Sequence, residues 1–172
     1  MPKNIYIAFH KLITMSENNH LPLYGIGPYI IGVITLMTII AIMISFLNYI
    51  PVYASYSLIL RLFGVILMVV GAVFWLSAVL NSDIQKNIVQ NHLVTTGIYG
   101  IVRHPIYAAF LYAITGVLLM ADNLILMPLS VVYWLILTLT MVKTEEKWLI
   151  DLYGDDYLNY SKKVNRFIPK VI

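Results

Sequence analysis

The sequence predicts an all-α integral membrane bundle of about four transmembrane helices, with a cytoplasmic helical extension at its C-terminal end. Three observations carry that prediction. Hydrophobic residues make up 60% of the 172 residues and charged residues only 11%, against roughly a quarter charged in an ordinary soluble domain. Four apolar stretches reach or approach the roughly 20 residues a helix needs to cross a bilayer core. Ten of the eleven Lys and Arg residues lie outside those stretches. The length suits a single domain over 1–172, divided into an N-terminal tail (1–25), membrane helices with their loops (26–142) and C-terminal helices (143–172).

Taken in order, Met1 to Ser16 lacks the long apolar core and small-residue site of a cleavable signal. Ile5, Phe9, Leu12 and Ile13 fall at roughly helical spacing among polar residues, which suits either an interfacial helix or a disordered tail. The first apolar stretch runs from about Ile26 to Leu47 without a charge, and the second from about Ser57 to Leu80 with Arg61 near its start. Arg61 is expected to snorkel to the outer headgroups. The third spans about Ile106 to Ala121 and the fourth about Leu124 to Val142. Only Asp122 and Asn123 separate these two, so they form a tight antiparallel hairpin. Gly64, Gly71 and Ala78 recur every seven residues, and Ala109, Ala113 and Gly116 line the third stretch; small residues at such spacing are packing surfaces between membrane helices.

The fourth helix is expected to continue through Glu145, Glu146, Trp148 and Leu149 until Gly154 ends it. A short helix follows, capped by Asp155, with Tyr157, Tyr160 and Val164 on one face and Pro169 as its stop. Lys3, Lys11, Lys86, Arg103, Lys143, Lys147, Lys162, Lys163, Arg166 and Lys170 fall in the N-terminal tail, the second loop or the C-terminal tail. By the positive-inside rule both termini and that loop are cytoplasmic in a multi-pass protein.

Several chemistries are excluded. The chain has no cysteine, hence no disulfide, thiolate nucleophile, cysteine-bound zinc or iron–sulfur cluster. Its four histidines, His10, His20, His92 and His104, show no metal-site spacing, so no metal is expected. The net charge of +3 is scattered at membrane-flanking positions, which argues against nucleic acid. Tyr24-Gly25-Ile26-Gly27-Pro28 follows no strand and opens no βαβ unit, so it is not a dinucleotide fingerprint.

The remaining polar groups gather in the second loop and the tail. The loop reads Leu93-Val94-Thr95-Thr96-Gly97-Ile98-Tyr99, then Arg103-His104-Pro105-Ile106-Tyr107. Pro105 suits the first turn of the third membrane helix. That helix start, beside Arg103 and His104, is expected to be an anion site. Each residue alone has a structural explanation: Arg103 as topology anchor, His104 as helix cap, Tyr99 and Tyr107 in the aromatic belt, Glu145 and Glu146 as solvated charges. Their convergence on one face of the bilayer suits a ligand combining a ribose, an amino acid and a flat base.

These two motifs, the loop run through Tyr107 and Glu145-Glu146 followed by Leu149, Tyr153-Gly154, Tyr157, Tyr160, Val164 and Ile168-Pro169, resemble the isoprenylcysteine carboxyl methyltransferases and their prokaryotic and phospholipid methyltransferase relatives. The resemblance covers about Gln85 to Pro169. It implies an S-adenosylmethionine-dependent membrane methyltransferase acting on a lipid-like acceptor that enters sideways from the bilayer. It also implies a cofactor pocket built by Gln85, Leu93, Val94, Tyr99, His104, Pro105, Ile106, Tyr107 and Glu145. In that pocket Glu145 would hold the ribose, His104 and Tyr107 the methionine moiety, and Leu93 and Val94 the adenine. Catalysis would rest on proximity, with Arg166 and Glu146 the candidate catalytic residues. The prenylcysteine enzymes place an arginine for the substrate carboxylate one helical turn before the glutamate pair, where this chain has Met141. Lys143 or Arg166 would have to replace it, and a thiol, an amine or a phospholipid headgroup is an equal candidate acceptor. Two alternatives stand beside this reading: a sterol-reductase-like membrane enzyme using a reduced nicotinamide, and a non-catalytic membrane subunit that keeps the fold.

Overall fold

The computed structural model describes residues 25–47, 57–80 and 84–170. The tail over residues 3–13 and the loop over residues 48–56 lie outside the described residues. The chain is helical, as its composition requires: α1 (Gly27–Phe46), α2 (Ser57–Leu80), the short α3 (Ile84–Val89), α4 (Pro105–Met120), α5 (Pro128–Lys143), α6 (Glu145–Tyr153) and α7 (Asp155–Lys163). Three helical runs are long and apolar enough to cross a membrane, Gly27–Phe46, Leu58–Leu80 and Leu124–Tyr153. The fourth expected span, α4, has 16 residues, about 24 Å of rise against a core of about 30 Å.

Contacts at opposite ends fix an up-and-down arrangement in which α1 and α4 run parallel and α2 and α5 run the other way. At one end the start of α1 lies beside the starts of α4 and α6, where a Cβ on Gly27 would collide with the Tyr107 hydroxyl. At the other, Ser45 near the end of α1 accepts a 2.8 Å hydrogen bond from Asn123. Asn123 also accepts from the Ile125 backbone N–H at 3.1 Å, closing the two-residue turn foreseen between α4 and α5. Arg61 reaches the same turn. Rather than only snorkelling, its guanidinium grips the Asp122 carboxylate, with Nε at 2.8 and 3.0 Å from the two oxygens. The pair holds the Asp122 carboxyl below its ordinary range, chiefly through that hydrogen bond.

α2 and α4 pack together along the small-residue stripes. A Cβ added to Gly64 would sit 2.7 Å from the Gly116 carbonyl, and one on Gly71 would sit 2.6 Å from the Ala109 carbonyl. Ala78 is fully buried. Across the bundle α1, α4 and α5 share a core of Ile34, Leu111, Ile114, Tyr133, Leu137 and Met141. The Thr38 hydroxyl donates back to the Ile34 carbonyl at 2.8 Å and lies 3.2 Å from the Tyr133 hydroxyl. The outer faces of α1 and α2, with Val33, Leu36, Leu62 and Ile66 more than half exposed, are what a bilayer would cover.

The C-terminal region departs from expectation in three ways. The fourth helix is not continuous: Thr144, at φ −124° and ψ −87°, separates α5 from α6. Asp155 stands in the first turn of α7, and Gly154, at φ 53°, occupies the cap position. α7 ends at Lys163, well before Pro169, because Val102 and Asn165 pair as a parallel bridge. Tyr157, Tyr160 and Val164 do share one buried cluster. For the packing stripe, Gly71→Ala is expected to lower stability by about 1 to 3 kcal/mol, since backbone cannot yield to the new methyl. Gly32→Ala, whose Cβ meets nothing within 4 Å, should cost nothing. Thermal unfolding in detergent checks both.

Candidate functional site

The site begins with how the second loop and the tail hold each other. Gly97 turns the chain at φ 61°, a conformation glycine adopts without strain. Val102 is then fully buried beside the tail. The Arg103 and His104 backbone N–H groups donate to the Asn165 and Arg166 carbonyls at 2.8 and 3.0 Å. Tyr112 of α4 donates to the Phe167 carbonyl at 2.8 Å, and Tyr160 donates to the Tyr99 carbonyl. Pro105 opens α4 as expected; His104 occupies the cap position without a side-chain capping bond.

The expected anion site at this helix start is filled from within the chain. The Glu146 side chain, 8% exposed, takes Arg166 Nε at 2.7 Å, Arg103 Nη1 at 3.1 Å and His104 Nε2 at 3.4 Å on one oxygen. Its other oxygen accepts from Arg166 Nη2 at 2.8 Å. Arg103 also donates to the Tyr157 hydroxyl at 2.9 Å and lies 5.7 Å from the centre of that ring. Burial pushes the Tyr157 phenol up to about 12, so it stays neutral as an acceptor at physiological pH. Glu146 and Arg166, the candidate catalytic pair, are therefore partners in one ion cluster.

Glu145 faces a different set of groups. Tyr107 donates its hydroxyl to this carboxylate, and the Ile26 backbone N–H joins it. His104 Nδ1 lies 3.9 Å away. The break at Thr144 sends two adjacent glutamates to opposite sides of one imidazole, Glu145 near Nδ1 and Glu146 near Nε2.

Above this pair opens a cavity of about 570 Å³, within the range of small-molecule and cofactor sites. Leu93, Val94, Tyr99, His104, Pro105, Ile106, Tyr107 and Glu145 all line it. Gln85 lies on α3, and its side chain is outside the described residues. Sequence reasoning missed the wall formed by α1: Gly25, Gly27, Pro28 and Ile31 line the cavity too. The signal was available in Gly25-Ile26-Gly27, because paired glycines also mark close approach of backbone to other groups. Ile88, Phe110, Trp148 and Leu149 add to the apolar surface.

Removing one member of the ion cluster strands the others. Glu146→Ala leaves the buried Arg103 guanidinium without its counter-charge and is expected to destabilise the fold by about 3 kcal/mol or more. Chemical unfolding in detergent measures the loss.

A family model described as phospholipid methyltransferase matches residues 59–156, more than half of the chain. A protein-S-isoprenylcysteine O-methyltransferase of Schizosaccharomyces pombe is 39% identical over 80 residues, covering 46% of this chain and 34% of that protein. One from Xenopus laevis is 33% identical over 118 residues, covering 64% of this chain and 41% of that protein. A methanethiol S-methyltransferase 1 of Bradyrhizobium diazoefficiens is 33% identical over 97 residues, covering 56% and 33%. The chain thus aligns with a third to two fifths of the length of these relatives. With its membrane-length helices and the match running from α2 through α6, the chain is an integral membrane protein that belongs to the phospholipid methyltransferase family.

Proposed function

We propose that this protein is an S-adenosylmethionine-dependent membrane methyltransferase acting on a lipid-like acceptor. The observation that carries the reading is the shared cavity, lined by eight of the nine residues that the resemblance implies. Its make-up suits the cofactor: apolar walls from Leu93, Val94 and Ile106, phenols from Tyr99 and Tyr107, and one ionisable carboxyl, Glu145. Among the described residues Arg103 is the one arginine or lysine lining the cavity, and Glu146 and Tyr157 already engage it. A nicotinamide cofactor with a 2′-phosphate would find no uncommitted arginine or lysine in that lining, which favours the sulfonium cofactor over a reductase.

The bound cofactor supplies a methyl group activated on a sulfonium. An acceptor heteroatom held against that methyl would take it as sulfur keeps the electron pair of the broken sulfur–carbon bond, and would release its proton if it bore one. The protein's part is positioning and exclusion of water. Glu145 would accept hydrogen bonds from the ribose hydroxyls, with Tyr107 and the Ile26 N–H holding that carboxylate in place. His104, fixed between two carboxylates, would meet the methionine moiety. Leu93 and Val94 would flank the adenine, while Ile31, Ile106 and Phe110 would keep the transfer path apolar.

One observation narrows the acceptor. Met141, at the position of the carboxylate-binding arginine in the prenylcysteine enzymes, is fully buried in the core, Arg166 is committed to Glu146, and Lys143 is not among the residues lining the cavity. An acceptor without a carboxylate therefore fits better, and a thiol is the simplest, in keeping with the similarity to a methanethiol S-methyltransferase. Both termini and the cavity mouth face the cytoplasm in this reading, following the Lys and Arg distribution.

Calorimetry with S-adenosylhomocysteine on detergent-purified protein tests the cofactor assignment. Wild type binds, and Glu145→Ala and His104→Ala each lose at least about tenfold in affinity, as removal of a charge-assisted contact implies; a folded wild type that does not bind overturns the assignment. Because the chain has no native cysteine, topology is read by single substitutions. Lys162→Cys should be shielded from a membrane-impermeant maleimide in intact cells and Leu124→Cys labelled; the reverse pattern would invert the orientation.

A further inference from the structure

The Gly25-Ile26-Gly27 turn belongs to no recognised cofactor motif, and the function described above uses only the Ile26 N–H. Its contacts are unusually close. A Cβ on Gly25 would sit 2.5 Å from Glu145 Oε1, and Gly25 holds φ at +52°. A Cβ on Gly27 would overlap the Tyr107 hydroxyl and lie 3.0 Å from Tyr107 Cζ. Between them the Ile26 N–H donates to Glu145, whose other donor is Tyr107 itself. Backbone therefore packs against both members of the Glu145–Tyr107 pair, from a segment more than seventy residues away in sequence.

We propose that Gly25-Ile26-Gly27 is a backbone clamp that positions Glu145 and Tyr107 for the cofactor. Glycine at 27 is required by lack of space rather than by backbone conformation: only Gly25, of these two, has a positive φ. Alanine at a helix start is otherwise well tolerated. An added methyl must push the Tyr107 hydroxyl off Glu145, and the carboxylate then loses a side-chain donor and its set direction. No contact of α1 with the cofactor is needed for this effect, so the three residues are positioning residues.

The inference rests on the cofactor reading, and a double-mutant cycle separates the two. The probe is S-adenosylhomocysteine, with affinity measured by calorimetry and folding by thermal melting in detergent. Gly27→Ala should weaken binding about tenfold or more. In the Tyr107→Phe background the colliding oxygen is gone, and the cost of Gly27→Ala should fall severalfold, leaving only the tighter contact with the ring carbon. Val33→Ala, on the exposed face of the same helix, should bind as wild type does. If Gly27→Ala alone fails to fold, recovery of folding by Tyr107→Phe supports the same collision. A Gly27→Ala variant with wild-type affinity, or a penalty that persists undiminished in the Tyr107→Phe background, overturns the clamp while leaving the cofactor site standing. Absence of binding in folded wild type overturns both.

Discussion

One buried carboxylate holds the site together. Glu146 on α6 binds Arg103 at the end of the second loop, His104 at the cap of α4 and Arg166 in the tail, segments more than sixty residues apart at their widest. Burying such charges is costly, and the cost is offset only where the partners are close and well aligned. Here Arg166 meets the carboxylate with two donors on its two oxygens, the fork geometry that suits guanidinium best. The arrangement tolerates little sliding. A tail displaced by one residue would lose the bidentate contact together with the backbone bonds from Arg103 and His104 to Asn165 and Arg166.

The consequences extend outward from that cluster. Because Glu146 is pinned on one side of His104, its neighbour Glu145 is presented on the other, toward Tyr107 and the cavity. Because the tail is bound to the loop, Tyr157 and Tyr160 become cavity walls. The membrane helices divide the labour differently. α2 contributes packing, through glycines pressed against the α4 backbone, whereas α4 and α1 each combine a lipid-level core with one end that shapes the site. The ion pair between Arg61 and Asp122 clasps the far end of the bundle.

Much of this is legible in the sequence, for reasons that differ by element. α1 and α2 are read almost to the residue, because an uninterrupted apolar run has few other solutions. The hairpin follows from having only Asp122 and Asn123 to make the turn. The small-residue stripes name the α2–α4 interface because close helix approach needs missing side-chain volume. The break at Thr144 is not legible: neither Thr nor its neighbours forbid a continuous helix, and the kink exists because Glu145 and Glu146 find partners on α4 and the tail. The partner of Arg61 is hidden for a similar reason, since Asp122 is sixty-one positions away. For the site, the resemblance supplies residues that line the cavity, while the α1 wall is missed because a pair of glycines has many meanings until its neighbours are seen.

The central claim is that this cavity holds S-adenosylmethionine, and the most direct measurement is photo-crosslinking with the methyl-labelled cofactor followed by peptide mapping. The account predicts label on peptides spanning residues 88–110 or 145–160, abolished by excess S-adenosylhomocysteine and unaffected by NADPH. Label confined to other segments, or displaced by NADPH instead, would contradict it.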